Sequence, residues 1–371
     1  MKTASSKTKV LAVRMSSLGD IILASAALGD PETDSDLSHS ATVEVDWLVA
    51  KGFEGIFSAD QRVRRVWSFD RKSGFRAWLD LCLRLRAEGY DEVWDLHRSL
   101  RTLILWGVFK FSLGGYSSRW KFFSKERFRL AMLFLFKKAS PKKFWPRPVF
   151  RRAASLAGHF EEDCRPDLSH GVRGLTDQDL DRLFREGERS GLGVYGVMPS
   201  SAWQSKCWPV ERYFKSIQAL QAQTRGRLLP VVLGTSNDDA SLKLLALLRA
   251  GGIPVGDGLT LGTLERVAGF LSRARFYLGN DTGLAHLAEA VGTPAWVVHG
   301  PTSPEMGFAP WRPQSGVLQV EGLGCRPCSK DGRLCYRFWE PYACMNRLMP
   351  EQVVDRLVRG LRLDQLGESG G

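Results

Sequence analysis

The feature that most confines this chain is a pattern that runs, lapses and restarts. Short runs rich in β-branched residues alternate with amphipathic runs through roughly the first hundred residues, and the alternation begins again at Val194. In the first stretch Lys9–Met15, Thr42–Val49, Val63–Phe69 and Asp91–Leu96 read as strands. Ile21–Leu28 reads as a helix, and so does Phe75–Ala87, with Trp78, Leu81, Cys82 and Leu85 on one face. In the second, Val194–Met198, Leu228–Leu233, Phe276–Gly279 and Ala295–Val298 are the strands. Pro209–Gln223, Asp239–Ala250, Leu264–Ala274 and Thr282–Val291 are the helices between them. Strands alternating with helices give a parallel sheet covered on both faces. Two such series predict an α/β fold of two doubly wound domains facing a central cleft. The expected boundaries are 1–165, a polar linker 166–192, 193–348, and a C-terminal helix and tail 349–371.

Charge is distributed unevenly. The chain carries 52 basic and 40 acidic residues, a formal +12. Between Lys110 and Arg152 there are thirteen Lys/Arg and one acid, Glu126, so that segment holds the whole excess. A single basic face suits an anionic partner: a membrane surface, a nucleic acid or an anionic substrate. No apolar run approaches the ~18–20 residues of a spanning helix, and Arg14 and Asp20 interrupt any signal-peptide core. A cytoplasmic protein is expected. The segment Gly29–Ser40, with Pro31 and several acids, reads as an exposed loop.

In doubly wound sheets ligands sit at the carboxyl ends of strands, so the loops there are searched first. Gly191-Leu-Gly-Val-Tyr-Gly196 matches a dinucleotide fingerprint literally, but its glycines enter a strand instead of opening a helix, and the mechanism fails. No G-x-x-x-x-G-K-[ST] loop exists. Asp20 closes the loop Ser16-Ser17-Leu18-Gly19 at the start of a helix, where it can cap free amides or take a proton from a substrate hydroxyl. On spacing alone capping is the stronger reading. Asn280-Asp281-Thr282-Gly283-Leu284-Ala285-His286 repeats this geometry, its small residues leaving the first-turn amides of a helix bare for a phosphate. Asp281 can cap that helix or bind sugar hydroxyls, and His286 is a packing histidine or a ligand contact. The loop Gly300–Glu305 follows the next strand. Lys206, before Trp208-Pro209, can bring a cation to the same edge.

These blocks together resemble glycosyltransferase family 9, the heptosyltransferases of lipopolysaccharide core assembly. The resemblance rests on Val10–Leu28 with S-S-L-G-D, Asp91–Leu105, Ser205–Phe214, N-D-T-G-x-x-H-L-A with H-G-P-T-S-P, and the C-x-x-C segment leading to Met349–Val353. It implies two Rossmann-like domains of the GT-B type, the first binding acceptor and the second a nucleotide sugar. The implied reaction is an inverting, metal-independent transfer from ADP-heptose to a lipopolysaccharide core lipid. Asp20 then matches the general base, Lys206 the cation on the diphosphate, and Thr282, Gly283 and Leu284 its backbone contacts. Asp281 matches a contact to the donor sugar, and His286 is placed with the donor. His97, Arg98 and Arg101 are candidate acceptor contacts, with a solvated helix start as the equal alternative. The sequence departs from the family in the acidic stretch Asp30–Asp36 and in the strongly basic, aromatic 110–152 region. The rival readings are another nucleotide sugar, or a basic membrane- or nucleic-acid-binding protein without transferase activity. No nucleic-acid motif accompanies the charge.

Cys325, Cys328, Cys335 and Cys344 are spaced C-x2-C-x6-C-x8-C, which can hold a structural zinc; reduced thiols or a local disulfide are the alternative. Cys82, at an apolar helical position, is a core residue. The basic segment interleaves cations with Phe122, Phe123, Phe128, Phe134, Phe136, Phe144 and Trp145. It reads as a solvated face over core aromatics, or as a patch for the anionic inner-membrane surface on its cytoplasmic side.

Overall fold

A computed structural model describes residues 7–29, 43–111, 117–159, 164–172, 177–189, 191–333 and 335–364. The expected loop at 29–40 and its acidic stretch lie outside these residues, apart from Gly29. The chain divides into two compact units: residues 1–125 with 149–171, and residues 126–148 with 172–371.

The first unit is built on β1 (Thr8–Val13), α1 (Leu18–Ala24), β2 (Val43–Ala50), β3 (Val63–Phe69), α2 (Gly74–Ala87), β4 (Glu92–Asp95), α3 (Leu100–Phe111) and β5 (Arg119–Phe122). The five strands are parallel in the order β3-β2-β1-β4-β5. β1 is central, and Val10 to Val13 are all but inaccessible, as a strand covered on both faces must be. α2 buries the four residues its spacing singles out, Trp78, Leu81, Cys82 and Leu85, against Leu11, Val13 and Leu48. The chain then leaves this unit for α4 (Arg127–Phe136) and returns with α5 (Val149–Ala157).

The second unit continues with α6 (Gln178–Arg189), β6 (Gly193–Met198), α7 (Val210–Gln223), β7 (Leu228–Val232), α8 (Asp239–Ala250), β8 (Gly256–Asp257), α9 (Leu264–Arg273) and β9 (Tyr277–Asn280). It ends with α10 (Gly283–Ala290), β10 (Ala295–Val298), β11 (Gly316–Leu318), α11 (Ala343–Asn346) and α12 (Pro350–Leu361). Its six strands are parallel, ordered β11-β10-β9-β6-β7-β8. The polar linker expected at 166–192 carries a helix, α6, and α5 precedes it. Each buries a short apolar set that general polarity concealed: Val149, Phe150, Ala153 and Ala154 in one, Leu180, Leu183 and Phe184 in the other. No described helix is long and apolar enough to cross a membrane.

Two buried carboxylates test this architecture. Asp46 on β2 is wholly buried and accepts from Tyr90 Oη at 2.6 Å, from Trp67 Nε1 at 3.3 Å, and from Arg64 through Nε at 2.8 Å and Nη2 at 2.6 Å. Hydrogen bonds to a charged group contribute about 1.5–3 kcal/mol. Tyr90→Phe should destabilise the first unit by that amount in urea unfolding; a shift below ~0.5 kcal/mol would show that the phenol adds nothing.

Glu289 on α10 accepts the backbone N–H groups of Trp311 at 2.8 Å and Arg312 at 2.9 Å. Burial outweighs these donors and pushes its pKa up to about 7. The unfolded chain ionises this group near ~4.3, so the fold holds the proton longer than the unfolded chain does. Its cost to stability therefore grows between that pH and about 7 and is constant above. Glu289→Gln should gain stability relative to the parent from pH 5 to pH 7 and then level off. A pH-independent difference between the two would mean that Glu289 ionises normally.

Candidate active site

Each sheet has one point where chain order reverses. In the first it lies between β1 and β4, and in the second between β6 and β9. Loops leaving such neighbouring strands diverge and open a crevice at the carboxyl edge. The loops carrying Asp20, His97, Lys206 and Asp281 fall at these two points, and the Gly300–Glu305 loop follows β10, one strand away.

In the first unit Asp20 is the third residue of α1 and completes a capping box with Ser17. Its Oδ2 accepts the Ser17 N–H at 3.3 Å and the Ser17 hydroxyl at 3.1 Å. Capping is thus real, but it is not the whole environment. Arg14, just past β1, places Nη2 2.6 Å from the same Oδ2 and donates Nη1 to Leu96 O at 2.6 Å, joining the ends of β1 and β4. Burial raises the Asp20 pKa, but the Arg14 charge and hydrogen bond, with the Ser17 donors, outweigh it and hold the carboxylate below its usual range. An ionised oxygen is therefore present throughout the neutral range.

His97 follows β4 and lies within the field of Asp20 and Arg14. Burial, then the Arg14 charge, bring its pKa down to about 4 against the opposing pull of Asp20. Its Nδ1 is buried without a hydrogen-bond partner among the described residues. A neutral imidazole thus stands beside a carboxylate. Asp95 Oδ1 fixes the turn by accepting the N–H groups of His97 at 3.1 Å and Arg98 at 2.7 Å. Arg98 adopts the left-handed region, φ 49°, and its guanidinium lies over Phe122 at 5.8 Å. Arg101 lies over Phe69 at 5.9 Å. The structure therefore brings Asp20 and His97 together and engages both arginines with aromatic rings.

In the second unit the ends of β6 and β9 are held by Asn280, which is fully buried. Its Oδ1 accepts from Trp208 N at 3.1 Å and Tyr213 Oη at 3.0 Å, and its Nδ2 donates to Pro199 O at 2.6 Å. The loop so fixed carries Lys206, whose Nζ is 2.7 Å from Asp281 Oδ2 and 3.4 Å from Asp281 O. Thr302 Oγ1 donates to the same Oδ2 at 2.7 Å. Burial alone would raise the Asp281 pKa, but Lys206, His299 and Thr302 drive it far below the carboxylate range. The pair is ionic and mostly buried, with side-chain exposures of 14% and 10%.

Thr282 is the N-cap of α10, but its side chain makes no capping bond to the helix. Gly283 and Leu284 open that helix with bare first-turn amides, a ready anion site. His286, one turn on, is buried and stacks on Trp311 with ring centroids 6.0 Å apart. Its packing role is therefore real. The glycines of the dinucleotide decoy lead into β6, as their position before a strand predicts.

Four residues enter to which sequence reasoning gave no site role, two of them, Asn280 and His299, inside its own motifs. Arg14 could have been found as a lone cation ending an apolar strand run, and Asn280 as an amide at the end of another. His299 follows β10, is fully buried, and has neither ring nitrogen hydrogen-bonded among the described residues. Burial takes its pKa down to about 4 despite the nearby Asp281. Arg326, 2% exposed, donates Nη2 to Thr302 O at 2.8 Å and to Gln319 Oε1 at 3.0 Å; nothing in its local sequence announces that burial. All seven cysteines are free thiols, and among the described residues no three metal-ligating side chains converge on one point.

Comparison with known proteins identifies the family and the fold. The profile of "Glycosyltransferase family 9 (heptosyltransferase)" matches residues 78–336. Lipopolysaccharide heptosyltransferase 1 of Pseudomonas aeruginosa is 27% identical over 369 residues, covering 94% of this chain and 97% of that protein. Its namesake in Escherichia coli K12 is 27% identical over 310 residues, covering 80% and 89%. Among solved structures, E. coli ADP-heptose lps heptosyltransferase II superposes with a TM-score of 0.66 at 16% identity, covering 96% of this chain and all of that one. The E. coli heptosyltransferase WaaC with ADP gives 0.61 at 20% identity, covering 84% and 92%. The two parallel sheets thus form a GT-B-like fold, and the chain is a glycosyltransferase that belongs to family 9, the heptosyltransferase family.

Proposed function

We propose that the protein transfers heptose from ADP-heptose to a lipopolysaccharide core acceptor, with inversion and without a metal in the chemical step. The observation that carries this reading is the Lys206–Asp281–Thr302 cluster beside the uncapped start of α10, at the switch point of the second sheet. Lys206 and the amides of Gly283 and Leu284, with Thr282, hold the diphosphate. Asp281 orients Lys206 and reaches the donor sugar, and His286 supports the helix from within. Fixed donors of this kind meet the charge that builds on departing ADP without waiting for solvent to reorganise. Asp20 takes the proton of the attacking hydroxyl on the opposite face of the anomeric carbon. Neutral His97 lies beside it, and Arg98 and Arg101 complete an acceptor surface suited to anionic groups.

The acceptor is a lipid, and a cytoplasmic enzyme working on it docks on the anionic inner leaflet. Helix α4 supports this: Phe128 and Leu135 are 68% and 72% exposed. Exposed Lys142 and Lys143 precede Phe144, whose ring lies 6.5 Å from that of Phe128. Apolar groups beside cations are what an interfacial segment presents. Vesicles containing anionic lipid should bind the protein at low salt and release it as ionic strength rises. Lys142→Glu with Lys143→Glu should weaken that binding and leave transfer to a soluble, truncated acceptor intact. Binding to duplex RNA or DNA with none to vesicles would replace this partner with a nucleic acid.

A donor screen tests the reaction itself. Purified protein is offered ADP-heptose and UDP-, GDP- and CMP-sugars on heptose-deficient core lipid, and transfer is expected from ADP-heptose. Transfer from another nucleotide sugar alone would keep the family and overturn the heptose assignment. Asp20→Asn keeps a capping oxygen but loses basicity, so donor binding should persist while turnover falls at least ~100-fold; near-normal turnover would remove Asp20 from the mechanism. Lys206→Ala should weaken ADP binding by about 10–100-fold in calorimetry, the range of one charge-assisted contact. Unchanged affinity would make this lysine a structural partner of Asp281 and nothing more.

A further inference from the structure

Val298 and Asn280 are partners in the β10–β9 ladder, and Asp281 N donates to Val298 O at 3.1 Å. His299 and Asp281 are therefore the next residues out of two neighbouring parallel strands. Residues in such register share a face of the sheet. The sheet itself thus sets the imidazole beside the carboxylate, and each acts on the other electrostatically. The backbone around the ring is pinned. His299 N donates to Leu318 O at 2.9 Å, and a Cβ on Gly300 would stand 2.7 Å from Met345 Cε.

The ring is nevertheless unengaged. His299 is wholly buried, and neither Nδ1 nor Nε2 has a hydrogen-bond partner among the described residues. Leaving a buried polar group so is costly, which points to a state in which it is used. The titratable groups facing it are Asp281 at the end of β9, Lys206 from the loop after β6, Arg326 from the segment after β11, and His286 one turn into α10. Glu305 and Glu321 act in turn on Arg326. In the free protein Asp281 is satisfied without the histidine, since Lys206 Nζ and Thr302 Oγ1 each lie 2.7 Å from its Oδ2. Burial, aided by Arg326 and Lys206, then keeps the ring neutral against the pull of Asp281, with a pKa of about 4. A diphosphate changes this balance. Its negative charge meets Lys206, and one ammonium cannot neutralise both it and Asp281. The surplus falls beside a base with two nitrogens to spare, in a site too dry to screen it.

We propose that His299 is a positioning residue for the donor: it takes up a proton when a nucleotide diphosphate engages Lys206, and the imidazolium then holds Asp281 in the lysine's stead. The proton comes from solvent and goes to a ring nitrogen; no other bond is made or broken. His299 acts through Asp281 and does not touch the reacting atoms. The inference rests on the donor-site reading given above. A group whose pKa rises on binding makes affinity fall as pH climbs from its free to its bound value. Donor binding is therefore tighter in mildly acid than in mildly alkaline solution.

Calorimetry of the full-length protein with ADP-heptose tests this, because that diphosphate has no group titrating near neutrality. Titrations at pH 6 in buffers of different ionisation enthalpy read proton uptake directly. Uptake of roughly half a proton or more per donor is expected, with affinity at least about twofold higher than at pH 8. His299→Gln and His299→Phe, each checked for native circular dichroism, should lose the uptake and bind at both pH values about as the parent does at pH 8. In transfer assays the donor KM of His299→Gln should lose its pH dependence while kcat keeps the parent's profile. Parent protein that binds the donor without proton uptake would overturn the proposal, whether or not the variants fold. Uptake retained by a folded variant would assign the proton to another group, such as His286 or Glu289, and overturn it equally. Parent protein that binds no ADP-heptose at all would refute the donor reading itself, and this proposal with it.

Discussion

One fully buried amide governs the second unit. Asn280 stands where β9 ends and reaches across to the loop leaving β6, using both ends of its side chain. In a parallel sheet neighbouring strands deliver their loops to the same edge, but nothing in the sheet itself fixes the distance between those loops. Asn280 does that, with Trp208, Tyr213 and Pro199 as its partners. Because the anchored loop carries Lys206 and the strand behind Asn280 continues into Asp281, the ion pair inherits its geometry from that amide. An aspartate at 280 would lose the bond to Pro199 O, and a leucine would leave several buried polar groups unpaired.

The two switch points solve the same electrostatic problem in opposite senses. At the first, a carboxylate is kept ionised by a guanidinium, Arg14, that also ties two strands together. At the second, a lysine is kept in place by a carboxylate that is itself held by Thr302 and, through Thr302, by Arg326. In both, the residue with chemical potential is paired with one whose other contacts belong to the scaffold. Such pairing limits side-chain wandering without a rigid loop. The histidines near each pair, His97 and His299, are kept neutral by burial and so add no competing charge at neutral pH.

The elements were legible because their signals are local. Val63–Phe69, Asp239–Ala250 and Ala295–Val298 have the bounds that periodicity assigns them. α2 buries the four residues its spacing names. What escaped was short or amphipathic on a small scale: β5 with four residues, β8 with two, β11 with three, and α6 inside a polar stretch. For the candidate site, loops after strands are readable from turn composition, so Asp20, Lys206 and Asp281 stood out. Arg14, His299 and Arg326 did not, since their importance comes from burial and from partners 6 to 24 residues away in sequence: Asp20, Asp281 and Thr302. A single sequence records such pairings only once the topology is known.

The excursion of residues 126–148 from the first unit into the second has a consequence for how the molecule can be taken apart. Neither unit is one continuous stretch of chain, and the backbone passes between them three times. A fragment ending anywhere in the polar region before β6 would carry α4 away from the Pro304–Met306 turn it packs with, and the complementary fragment would lack it. Chimaeras with related transferases therefore need to exchange 126–148 together with the C-terminal half, as two separate segments. For the same reason a folding chain emerging from the ribosome makes α4 well before its partners exist, and that helix waits, with Leu133 uncovered, until most of the remaining sequence has been synthesised.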